Sequence, residues 1–173
     1  MSAPAGAADK VTVTVFVTLT PDDAFEVFTK EIDLWWKQGP KFRIAGRRRG
    51  QLHFDGGVGG RMFESFTASQ ANTATVTREV GKITVWDPPA RIEFEWRGVN
   101  FEEGEKTIVE VRFEPSGRGT NVTVQHRGWS ALPADHPVRH GKQGAEFVRG
   151  IGMWWGELMT SLREHVTTRS DRR

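Results

Sequence analysis

A chain of 173 residues, 37% hydrophobic and 27% charged, has room for one sizeable core and is short for two ordinary domains; its 7 Trp and 11 Phe exclude wholesale disorder. Cysteine is absent, which removes disulfides, thiolate nucleophiles and cysteine-ligated zinc. A net charge of +2 argues against a nucleic-acid partner, and the pI of about 9.2 overstates basicity because neither Cys nor Tyr titrates between His and Lys.

Residues 1–9 read as a flexible start without the basic and apolar run of a secretory signal, and no segment has the apolar length of a membrane span. The expected location is therefore the cytoplasm. Residues 10–167 form the expected single domain, and 168–173 a basic tail. Val11, Val13, Val15, Val17 and Leu19 alternate with Thr12, Thr14, Phe16 and Thr18, the period of a strand with one buried face. Thr20-Pro21-Asp22-Asp23 then supplies an N-cap, a proline at the first helical position and first-turn acids. The stripe of Ala24, Phe25, Val27, Phe28 and Ile32 predicts a helix, broken into a second short one that ends near Trp35-Trp36 and is stopped by Gly39-Pro40.

Between residues 37 and 49 there are six basic side chains and no acidic one. Only Phe42 offers a stacking ring, so the segment reads as a solvated loop or one passed by an anionic head group, not as a nucleic-acid site. Six strands are then expected at 51–55, 61–66, 75–86, 91–97, 106–114 and 120–127, with links short enough to make neighbours antiparallel. The glycine run at 56–60 precedes a strand rather than a helix, so it reads as a hairpin and not a phosphate cradle. The last element, 143–166, carries an apolar face at helical spacing interrupted by Gly150, Gly152 and Gly156, each of which costs about 1 kcal/mol against Ala and needs a reason. The whole is an α+β order: one strand, two short helices, six strands, and a long helix that a curved seven-stranded antiparallel sheet could wrap.

In that order, several sequence pieces resemble the SRPBCC or START-like helix-grip superfamily, and within it proteins homologous to the activator of the heat-shock-protein ATPase. They are Leu19-Thr20-Pro21-Asp22-Asp23-Ala24-Phe25, Leu34-Trp35-Trp36, Gly59-Gly60-Arg61-Met62-Phe63, Trp86-Asp87-Pro88-Pro89-Ala90-Arg91-Ile92-Glu93-Phe94-Glu95-Trp96, and Gly119-Thr120-Asn121-Val122-Thr123-Val124-Gln125-His126-Arg127-Gly128-Trp129. The resemblance implies a cavity for apolar small molecules between sheet and helix. It implies no single activity, since the superfamily includes lipid carriers, cyclases, ring-hydroxylase subunits and chaperone activators. Trp154 stands where the family has glycine before the helix tryptophan, which predicts a reduced or reshaped cavity.

Strand alternation sorts the candidate lining. Ile92, Phe94 and Trp96 should face inward, as should Ile83, Val85, Val109, Val111, Phe113, Val122, Val124 and His126. The last helix should present Phe147, Ile151, Trp154, Trp155 and Leu158, while Trp35, Trp36 and Trp129, at element ends, suit rim positions. His126 is either a hydrogen-bonded core residue or an orienting donor and proton shuttle; His53, Glu64 and Glu79 could also face the cavity, depending on register. His136 and His140 would share a helical face, but Pro137 and the surrounding composition argue against a helix, and two ligands are too few for a metal. No nucleophile elbow, dinucleotide fingerprint or phosphate loop is present, so no cofactor is expected. The preferred reading is a carrier or binding protein for an apolar or aromatic small molecule. The alternatives are a cyclase-, aromatase- or hydrolase-like enzyme using the same cavity through His126, and a chaperone-activator-like interaction module; a homodimer stays open.

Overall fold

β1 (Lys10–Val17) buries Val11, Val15 and Val17 while Thr12, Thr14 and Phe16 point outward, as the period-two pattern requires. The structure, a computed structural model, describes residues 9–171; all but the last residue of the start expected to be flexible, 1–9, and the last two residues of the expected basic tail lie outside the described residues. After β1 the Thr20 hydroxyl accepts a hydrogen bond from Asp23 N at 3.2 Å and Pro21 opens α1 (Pro21–Lys30), so the cap works as the sequence predicts. α2 (Ile32–Trp35) ends where Trp36 becomes extended.

The remaining strands are β2 (Gly50–Phe54), β3 (Arg61–Thr67), β4 (Thr75–Asp87), β5 (Arg91–Trp96), β6 (Thr107–Ser116) and β7 (Gly119–Arg127). With β1 they form one seven-stranded antiparallel sheet in the order β1-β7-β6-β5-β4-β3-β2, so β1 closes the far edge beside β7. The meander and its short links match the expected arrangement. α3 (Gly144–Asp171) is longer than the spacing suggested and lies in the concave face of the sheet.

The curl has a local cause. On β4 the register with β3 slips between Met62 and Phe63, and Gly81 lies so close to β5 that an added Cβ would fall 1.6 Å from the Glu95 carbonyl oxygen. Only glycine fits there. A second irregularity between Ile83 and Val85 reverses the alternation, so that Trp86, rather than the expected Val85, packs on the core edge to face with Phe25 at 5.1 Å.

At one end of the sheet α1 lays Phe25 and Phe28 against Phe113, with ring centroids 5.2 and 5.7 Å apart. The C-terminal part of α3 completes this packed region with Leu158, Met159, Leu162 and Val166, all buried. Ser161 donates to the Trp35 carbonyl, and His165 and Arg169 both reach Glu31 at 2.9 Å, fixing the helix against the α1–α2 corner. Of the helix glycines only Gly152 approaches a neighbour, Val11; Gly150 and Gly156 face open space, so close packing explains one of the three.

Candidate functional site

Beyond the end filled by α1, the space between sheet and α3 is not filled. A cavity of about 550 Å³ lies under the N-terminal part of α3, within the range of small-molecule sites. Its wall is mostly apolar: Trp36, Phe42, Ile44, Leu52, Met62, Val80 and Trp96 on one side, and Phe147, Gly150, Ile151 and Trp154 from the helix. The mouth carries exposed Lys41, Val99, Asn100, His140 and Lys142.

The cover is the basic segment 37–49, whose Lys37, Lys41, Arg47, Arg48 and Arg49 are exposed as in a solvated loop while Arg43 is not. Arg43 turns inward and is 4% exposed; its guanidinium pairs with Asp33 at 2.7 Å and donates to the carbonyls of Trp36, Lys37 and Asp33. Asp33 Oδ1 also accepts from Leu52 N at 2.8 Å, tying α2, the segment and β2 together. Arg43 is buried while the Asp33 side chain is 33% exposed, so removing one partner should cost less than the roughly 3–5 kcal/mol of a fully buried pair. With the backbone so held, Phe42 stacks on Trp154 at 5.8 Å and Trp154 Nε1 donates to the Lys41 carbonyl at 2.8 Å. Trp154 therefore shapes the cavity by bridging helix and cover, and the space remains large.

Of the residues named from the sequence, Trp36, Trp96, His126, Trp129, Phe147, Ile151 and Trp154 lie on the cavity wall. Trp35, Phe94, Val111, Phe113, Val124, Trp155 and Leu158 also face inward, but they pack into the filled core and not on the cavity wall. Beside Phe113 and Trp35 the space is taken by Phe25 and Phe28 of α1, while Trp155 is enclosed by Trp36, Trp154 and His126. The rim positions expected for Trp35, Trp36 and Trp129 are likewise corrected: each is buried, with Trp35 and Trp36 donating to the carbonyls of Phe28 and Phe42. Glu64 reaches the cavity; His53 instead stacks on Phe63 and Glu79 is exposed. Phe42 and Ile44 were legible only as apolar residues interleaved with the basic ones, and Arg43 only as one of those basic ones.

His126 sits on β7 opposite Val11 and Val109, 1% exposed. Its Nδ1 accepts from Trp155 Nε1 at 3.0 Å, so Nε2 bears the proton and donates to Thr107 Oγ1 at 2.7 Å, whose own hydrogen turns to the Trp96 carbonyl. Burial pushes the imidazole pKa from 6.5 down to about 3, which keeps it neutral. Both nitrogens are engaged inside the protein, leaving the ring itself as its contribution to the wall. This geometry fits a satisfied core histidine and gives proton transfer to a ligand no free nitrogen.

Two polar atoms of the wall are buried without a hydrogen-bond partner among the described residues: Glu64 Oε1 and Trp129 Nε1. Glu64 Oε2 accepts from Ile44 N at 2.9 Å, and burial raises the carboxyl pKa despite Arg43 nearby. His136 and His140 flank a three-residue 3-10 turn and share no helical face. His136 bonds Glu105 at 2.9 Å, while His140 adopts a left-handed conformation, and among the described residues no three His, Cys, Asp or Glu side chains converge as a metal site.

The pattern of the family described as Activator of Hsp90 ATPase homolog 1-like protein matches residues 13–166. The chain belongs to that family. A comparison with curated proteins finds no match. Among solved structures, protein MLL2253 from Mesorhizobium loti is 14% identical with a TM-score of 0.60, covering 92% of this chain and 97% of that one. PFC0360w, an HSP90 activator from Plasmodium falciparum, is 18% identical with a TM-score of 0.58, covering 92% and 96%. DynU16, from the dynemicin biosynthetic locus, is 16% identical with a TM-score of 0.59, covering 92% of this chain and 48% of that one. At these identities the likeness is one of fold: the curled sheet around a long C-terminal helix, the helix-grip arrangement. No helix among the described residues is long and apolar enough to cross a membrane.

Proposed function

We propose that the protein binds and carries an apolar or aromatic small molecule in the cytoplasm, held in the cavity under the N-terminal part of α3. The observation that carries this reading is a cavity of about 550 Å³ walled by aromatic and aliphatic side chains, with the inward His126 already fully hydrogen-bonded. Trp36, Trp96, Trp129, Phe147, Ile151 and Trp154 are the proposed contact residues, with the His126 ring among them. The family assignment supports a ligand-binding helix-grip fold without choosing the ligand.

Titration with the neutral apolar dye phenylnaphthylamine tests the proposal. Saturable binding at one site per chain, weakened by filling the cavity through Gly150→Leu, is the expected result. No binding to the folded wild-type protein would overturn it. The family description also favours a second reading, stimulation of an ATPase chaperone. That reading predicts a faster ATPase rate when this chain is added to such a chaperone, and fails if the rate is unchanged.

A further inference from the structure

One end of the cavity is built differently from the rest. Beside β7, Trp129, Leu132 and Phe147 form a small separate apolar cluster, joined by Phe101, Val138 and Ile151. Arg139 is sunk into it, 8% exposed, on a short 3-10 turn (Pro137–Arg139). Its guanidinium lies over the Phe147 ring at 4.9 Å, and it donates to the carbonyls of Pro133, Trp129 and Leu132.

Arg43, the other buried arginine of the wall, has the Asp33 carboxylate against it. Arg139 has none: among the described residues no carboxylate comes within ion-pairing distance, and Nη1 makes no hydrogen bond. A guanidinium is permanently charged, and carbonyl dipoles alone leave that charge uncompensated in an apolar surrounding. On the same stretch of wall the Trp129 indole N–H, 2% exposed as a residue, has no acceptor among the described residues. Both residues belong to the cavity wall, and they touch through the 2.7 Å bond from Arg139 Nη2 to the Trp129 carbonyl. The wall thus holds at one end a free cationic donor and a free neutral donor, with Lys142 and His140 at the adjoining mouth.

Resting on the carrier reading above, we propose that the ligand is an amphipathic anion: an apolar or aromatic body bearing a carboxylate or sulfonate. The head group accepts from Arg139 Nη1 and the Trp129 N–H, while the body lies along Trp36, Trp96 and Trp154. Glu64, among the described residues the only carboxylate of the wall, belongs to the β3 side near Ile44, away from β7 in the strand order, so it does not oppose the head group. Charge-assisted bonds made in a desolvated site are the stronger kind, and an arginine fork suits a planar or tetrahedral oxyanion.

A matched pair of dyes tests this. Anilinonaphthalenesulfonate and phenylnaphthylamine share one aromatic body, and only the first carries the sulfonate. The wild-type protein should bind the anionic dye at least about tenfold more tightly. Arg139→Gln should abolish that preference, bringing the two dyes to equal affinity. Because Arg139 also organises its own turn, Trp129→Phe serves as a second variant: it keeps a ring, removes the N–H, and should weaken the anionic dye several-fold at unchanged melting temperature. Equal affinities for the two dyes in the wild type, or a preference unmoved by both variants, overturns the head-group assignment and leaves the carrier reading standing. Failure of both dyes to bind overturns both.

Discussion

The two halves of α3 face one continuous sheet and end in different states. From Trp155 onward, Leu158, Met159, Leu162 and Val166 are each at most 2% exposed and belong to the main core, where the helix packs on β1 and α2. Before it, Phe147, Gly150, Ile151 and Trp154 stand over open space. The sheet supplies inward apolar residues to both halves, so the strands do not make the difference. The cover does: α1 inserts two phenylalanines at one end, whereas segment 37–49 spans the other through Arg43 and touches the helix chiefly by its Phe42 and Lys41 contacts with Trp154. A cavity in this fold is set by which segment lies across the open side of the grip.

The contrast can be broken most forcefully at Trp155. Trp155→Ala should cost about 3–5 kcal/mol by urea denaturation, because the packed half cannot collapse around the hole, while Trp154→Ala should cost less than half of that. Similar losses at both positions would erase the distinction.

Acidification should expose the second largest effect. His126 is held neutral with its pKa depressed to about 3, so its contribution is intact above 6.5 and is lost as pH falls toward 3, at about 1.4 kcal/mol for each step of one pH within that window. In His126→Gln, stability measured at a series of pH values should lose that slope between these limits, although the variant starts lower at neutral pH.

Gly150 sharpens the comparison from the cavity side. It lies in a helix with nothing within 4 Å of an added Cβ, so Gly150→Ala should raise stability by about 1 kcal/mol in thermal or chemical melts. A destabilised variant would mean that the space above it is already occupied.

Glu64 should give the smallest effect. Its pKa is raised by burial, so the stability it contributes is complete below 4.5 and is lost as pH rises through the elevated value. Glu64→Gln should therefore gain on the wild type with rising pH. A constant difference across the range would show that the carboxyl is better solvated than its burial suggests.

The fold was legible because its signals are periodic. Alternating valines in β1 and β7, the Thr20-Pro21 start of α1 and the glycine-rich hairpin before β3 each have a local physical cause, and all act as expected. Where a bulge intervened, as between Ile83 and Val85, alternation gave the wrong face, since an inserted residue leaves no trace in the period. The cavity was half legible. Inwardness could be read for Phe94, Val111 and Phe113, but whether an inward side chain meets another side chain or empty space depends on α1 and the 37–49 cover, which lie far away in sequence. Arg139 was missed because an arginine in a polar loop reads as solvated, and its burial follows from three carbonyls that converge only in the folded turn.

The ring contacts have an optical consequence. Trp35, Trp36, Trp96, Trp154 and Trp155 form a chain of neighbouring indoles with centroids between 5.1 and 5.9 Å apart, and Trp129 joins it through the His126 ring. At such spacing excitation energy migrates among the rings before it is emitted. With no tyrosine in the chain, near-ultraviolet excitation is absorbed chiefly by tryptophan. A quencher seated in the cavity would therefore darken more of the protein's emission than that of the indoles it touches, so the natural sequence already carries its own reporter of occupancy.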